Sequence, residues 1–203
     1  MAADFVKARD FVAAITTCYE PSYKEYFVDS PGSETSLNAN ARFLAEYGDA
    51  CLLATQEQRL SPALVKKYLE QVLTVADKYF ELFTHDEKPL PERAQTVVSN
   101  LIAASINLNR QPELLDTLHS IGSRFPAAFR PGLLNEWEKL LKSDPGFQRK
   151  LEDWEIKQRL QTDADYQSYW TDYANFLKVF AGVPQMSGEA RRRLSRLQRL
   201  TTT

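Results

Sequence analysis

Glycine is scarce in this sequence, with 7 in 203 residues. Folds built from many short strands consume glycine at their turns, so the shortage argues against a β-rich protein. Cysteine and histidine are scarcer still, at two each. Cys18 and Cys51 lack CxxC spacing and sit in apolar helical contexts. They are expected to be reduced core residues of a cytoplasmic protein, with a nuclear one as the alternative. Long apolar runs are missing too: stretches such as Ala50 to Ala54 stop far short of the roughly 20 residues that span a bilayer. The start Met1-Ala2-Ala3-Asp4 places no basic residue ahead of an apolar run. Neither a signal peptide nor membrane insertion is therefore expected. An excess of one charge is also lacking. The formal net charge of -2 excludes the whole surface as a binder of nucleic acid or anionic lipid.

Catalytic signatures are absent as well. The sequence has no Gly-x-Ser-x-Gly, no glycine loop for phosphates, and no histidine near either cysteine. Glu152 and Asp153 are adjacent, so a helix would not bring them face to face. Glu113, Asp116 and His119 fall along one helical face, but a metal site of that kind needs ligands from a second helix, and no second copy exists. His85 lies in a charged loop with Asp86 and Glu87. No catalytic residue, metal ligand or cofactor is assigned.

What is present is helical periodicity in a composition of 43% hydrophobic and 26% charged residues, ordinary for a soluble globular protein. Phe5, Ala8, Val12, Ile15 and Tyr19 define a first helix from Asp4, which Pro21 is expected to end or kink before the aromatic cluster Tyr23, Tyr26 and Phe27. A second helix runs from about Ser36 to Gln56. The third has the clearest start, Ser61 as cap and Pro62 at the first helical position. It carries two apolar stripes, Val65-Leu69-Val72-Ala76-Phe80-Phe83 and Tyr68-Val75-Tyr79-Leu82, so it is expected to pack on two sides. Further helices are expected over about 92–108, 112–121, 133–141, 145–160 and 162–182. The fold class is all-α, about eight helices in a helical bundle or an irregular stack of helical hairpins. A match between Leu141–Gln148 and Leu160–Gln167, 19 residues apart, has too few copies for a solenoid array. The domain reading is one helical domain over 1–184 and a basic amphipathic tail or linker over 185–203.

That tail is the most unusual segment. Between Glu189 and Leu200 it carries five arginines and one acid, a net +4 against -6 for the remainder. Leu194, Leu197 and Leu200 share one face, and Arg192, Arg196 and Arg199 another. Such a helix docks on an acidic groove, a phosphate backbone or an anionic membrane surface, unless its leucines simply pack on the parent domain. The second concentration is aromatic: Trp137, Trp154 and Trp170 on successive helices, with Tyr166, Tyr169, Tyr173, Phe176 and Phe180. These either form a C-terminal core or, where exposed, anchor a partner.

The leading functional expectation is a non-enzymatic helical protein–protein interaction module, an adaptor or a subunit of a larger assembly. Arg191, Arg192, Arg193, Arg196, Arg199, Trp170 and Tyr173 are its candidate partner-binding residues. One alternative is a nucleic-acid-associated subunit that contacts phosphates through the arginines. Another is a helical enzyme or small-ligand binder with a site assembled across helices.

Overall fold

The computed structural model describes residues 10–29, 36–57, 60–83, 87–129, 133–134, 153–184 and 186–201. Among these residues the fold is all-α, without a strand, and has eight helices when the unbroken stretch 11–29 is counted once. No helix among them is long and apolar enough to cross a membrane. The chain divides into two compact units, Met1–Asn109 and Arg110–Thr203.

The first unit holds α1 (residues 11–29), α2 (Leu37–Ala54), α3 (Pro62–Glu81) and α4 (Pro91–Asn107). The expected start of α1 at Asp4 lies outside the described residues; Asp10 caps the described helix, its Oδ1 accepting the Ala13 N–H at 2.9 Å. Pro21 does not end this helix. Two π-helical turns, Ile15–Tyr19 and Lys24–Asp29, flank the α-turn Glu20–Tyr23 that contains the proline. Proline lacks an N–H and its ring crowds the carbonyl one turn back, so a regular helix would kink there. Here the chain stays helical through Pro21, with widened i→i+5 turns on either side of it. They also serve packing. Residues four apart overshoot an α-turn by about 0.4 residue, whereas a wider turn stacks them more nearly in line. Tyr19, Tyr23 and Phe27 thereby form one row against Phe43 and Tyr47 of α2, with ring centroids 5.4–5.8 Å apart across the two helices.

Side-chain caps start α2 and α3 where the sequence places them. Ser36 Oγ accepts from Ala39 N and Ser61 Oγ from Leu64 N, each at 3.3 Å, with Pro62 at the first position of α3. Helix α3 packs on both α2 and α4, burying Leu69, Val72 and Ala76 of one stripe and Tyr68, Val75 and Tyr79 of the other. Gly48 permits the close approach of α2, because a Cβ there would lie 3.2 Å from Val75 Cγ2. Asn109, with φ 56°, takes the left-handed conformation that ends α4, its N–H donating to Ile106 O at 3.0 Å.

Tyr79 is an exception to good pairing in this core. Its ring is fully buried, and its hydroxyl has no hydrogen-bond partner among the described residues. Burial pushes the phenol up to about 12. An orphaned buried hydroxyl destabilises the fold, so Tyr79→Phe is expected to raise unfolding stability by about 1 kcal/mol. Urea denaturation checks this; a loss of stability would mean that the hydroxyl is satisfied.

The second unit holds α5 (Gln111–Arg124), a 3₁₀ turn (Pro126–Ala128), α6 (Asp153–Thr162), α7 (Ala164–Ala181) and α8 (Ser187–Thr201). Helix α7 contacts α5, α6 and α8. Phe176 and Phe180 are fully buried on it, 4.3 Å apart, and Phe129 meets Phe180 edge-on at 5.2 Å. Gly122 brings α5 against the chain beyond α7, since a Cβ there would lie 3.2 Å from Val183 Cγ2. Of the helix expected over 133–141, only Leu133 and Leu134 are described, both helical and buried. Trp137, the expected helix start at Pro145 and the first copy of the 19-residue match lie outside the described residues.

Candidate functional site

The basic segment is helix α8, and its leucines face its own unit. Leu197 and Leu200 are buried with Ala190, Leu194 is half-buried, and the helix packs on α7 and α6. The five arginines do not act alike. Arg193 Nε donates to Glu189 Oε1 at 2.7 Å, and Arg193 Nη1 reaches Tyr173 Oη at 3.5 Å on α7. Arg192 also pairs with Glu189. These two cations hold the Glu189 carboxyl below its usual range, the Arg193 hydrogen bond contributing most. Arg191, Arg192, Arg196 and Arg199 are exposed.

The aromatic candidates separate in the same way. Tyr173 is buried, and Trp170, half-buried, meets it edge-on at 6.0 Å. Trp154, at the start of α6, is 66% exposed, the largest exposed apolar side chain among the described residues.

Between α6, α7 and α8 lies a groove of about 680 Å³. Its floor is Leu160, Trp170 and Leu200, which pack with the buried Ile156, extended by Leu194 and Leu197. Along α7 the wall is Gln167, Thr171, Ala174 and Lys178, a stripe at spacings of four, three and four. From Gln167 to Lys178 this wall rises about 16 Å, three helical turns. On α6 the wall is Lys157 and Gln161, and Trp154 continues the same stripe one turn earlier. Among the described lining residues there are two cations, Lys157 and Lys178, and no carboxylate. Lys178 Nζ donates to Asn175 Oδ1 at 3.2 Å, and both residues line the groove.

Sequence reasoning named Trp170 in this groove but missed Lys157, Thr171, Ala174 and Lys178. The α7 stripe of small and polar residues runs beside the apolar stripe Tyr173-Phe176-Leu177-Phe180, and only the latter carries a strong periodic signal.

Other candidate chemistry is dispersed. Glu113, Asp116 and His119 lie exposed along α5, and no group of three His, Cys, Asp or Glu able to hold a metal gathers among the described residues. Cys18 and Cys51 are free thiols, and burial pushes the Cys51 thiol far above its ordinary value. His85 lies outside the described residues. Among known proteins, no family model, curated sequence or solved structure matches this chain.

Proposed function

We propose that this chain is a non-enzymatic helical protein–protein interaction module, an adaptor or a subunit of a larger assembly, that receives a partner in the groove of its second unit. The observation that carries the reading is an apolar-floored groove three helical turns long, with the exposed Trp154 one turn before its Lys157 on α6. Exposed tryptophan is costly to leave in water and is enriched where protein partners bind. Helix α8 contributes Leu194 and Leu197 to the floor of the groove and Thr201 to its lining.

Thr171 is exposed in the groove wall, so Thr171→Trp fills the space without disturbing the core. The expected result is that a stoichiometric protein partner purified from native extract on the wild-type chain is lost from the variant. The same partner should stay on a chain whose Arg192, Arg196 and Arg199 are changed to Gln. A partner retained by Thr171→Trp and lost with the arginines would move the interface to the outer face of α8.

That outer face supports one second reading, an attachment to nucleic acid. Arg191, Arg192, Arg196 and Arg199 are exposed on α8. Four phosphate contacts to duplex DNA would give a log–log salt slope of about -3.6. A slope near zero, or binding that survives replacement of all four arginines by Gln, excludes it.

A further inference from the structure

We infer that the occupant of the groove is an acidic amphipathic helix of a partner protein; the inference rests on reading the groove as an interaction site. Length is the first argument. The wall from Gln167 to Lys178 matches three turns of a docked helix, which would set residues at i, i+3 or i+4, and i+7 along the floor. The floor is suited to such anchors. Leu197 and Leu200 are already buried, while Leu160, Trp170 and Leu194, with Ala174 of the wall beside them, are half-buried and retain apolar surface that a side chain from outside would cover.

Charge is the second argument and selects the chemistry of the flanks. The described lining offers Lys157 and Lys178 and no carboxylate, although the whole chain carries 27 acidic residues against 25 Lys and Arg. A basic helix would meet like charge at both lysines, and a neutral one would leave them unanswered. Glutamates or aspartates beside the apolar stripe would pair with them at the wall, where such pairs chiefly set specificity and encounter rate. Nucleic acid fits less well. Two ammonium groups give little neutralisation, and the leucine floor offers phosphates nothing.

The test is selection from a displayed library of random peptides, four helical turns long, on the immobilised full chain. It is repeated on Thr171→Trp and on the double variant Lys157→Glu/Lys178→Glu. All three positions are exposed, so the fold is expected to persist. The expected winners are net acidic with helically spaced apolar residues. Synthesised and labelled, they should bind the wild type, fail on Thr171→Trp, and weaken by about tenfold or more on the double variant. Winners that fail on Thr171→Trp but are basic or neutral would overturn the acidic partner and leave the groove standing. No enrichment, or winners indifferent to Thr171→Trp, would overturn the groove reading itself. A single-stranded oligonucleotide that binds more tightly than the best peptide, and is lost on the double variant, would overturn the peptide in favour of nucleic acid.

Discussion

Tyr47→Ala should destabilise the protein by about 3–5 kcal/mol, the range for removing a buried aromatic side chain. Tyr47 is 1% exposed and stands where α1 and α2 meet. Its ring lies parallel to Tyr19 at 5.4 Å, and Tyr23 and Phe43 approach it at 5.8 and 6.0 Å. Truncation removes the transfer free energy of a large ring, leaves a cavity, and breaks three ring pairs at once. Collapse into the cavity is limited, because those rings belong to two helices held in register by the whole row from Tyr19 to Phe27. Against a typical domain stability of about 5–15 kcal/mol this loss is large. The urea midpoint should fall sharply while the slope stays constant. Tyr26, on α1 and 39% exposed, is the control: Tyr26→Ala should change stability by no more than about 0.5 kcal/mol. A loss below about 1 kcal/mol for Tyr47→Ala would show that the aromatic row does not anchor this core.

The contrast between those two tyrosines marks what the sequence makes legible. Periodicity of 3.6 exposes the buried stripes of α3 directly, because burial of Leu69, Val72 and Ala76 depends on their spacing and little else. Caps are legible for a similar reason, since Ser61 and Pro62 act on their own helix end. Pro21 is legible as a defect, but its resolution is not. Whether a helix stops or widens there depends on the reward for continuing, and that reward is Phe43 and Tyr47, more than fifteen residues away in sequence. The basic helix is legible as amphipathic, but its leucines find α6 and α7 rather than a foreign surface. The groove is the least legible feature of all. It joins the leucine stripe of α8 to the less apolar stripes of α6 and α7, and Lys157 and Lys178 come together in its lining only through tertiary packing.

Asn100→Ala should cost about 2–3 kcal/mol near neutral pH, and distinctly less in acid. Asn100 is a buried polar side chain of α4, and its Nδ2 donates to Asp49 Oδ1 on α2 at 2.6 Å. A hydrogen bond to an ionised group is among the stronger kind, and removing the donor leaves a half-buried carboxylate without it. Burial raises the Asp49 carboxyl above its ordinary 3.8, the nearby Glu46 adds to the rise, and the Asn100 bond opposes both. The raised value means that the folded protein holds this proton more tightly than the unfolded chain does. Stability from Asp49 is therefore complete below about 3.8 and is lost as pH rises through the raised folded value. Removing Asn100 takes away the one opposing influence and extends that loss to higher pH. Once the carboxyl is protonated, the missing donor matters less, so the penalty of the substitution shrinks as the solution is acidified. Asp49→Asn isolates the charge. Its amide oxygen can still accept from Asn100, so this variant should exceed the wild type in stability at neutral pH and lose the acid-side slope that Asp49 contributes. In the Asp49→Asn background, Asn100→Ala should cost only about 1 kcal/mol, as for a neutral hydrogen bond, at every pH. Denaturation curves of the four proteins across the acid range decide the matter. A penalty for Asn100→Ala that is independent of pH in both backgrounds would show that Asn100 serves packing and not the buried charge.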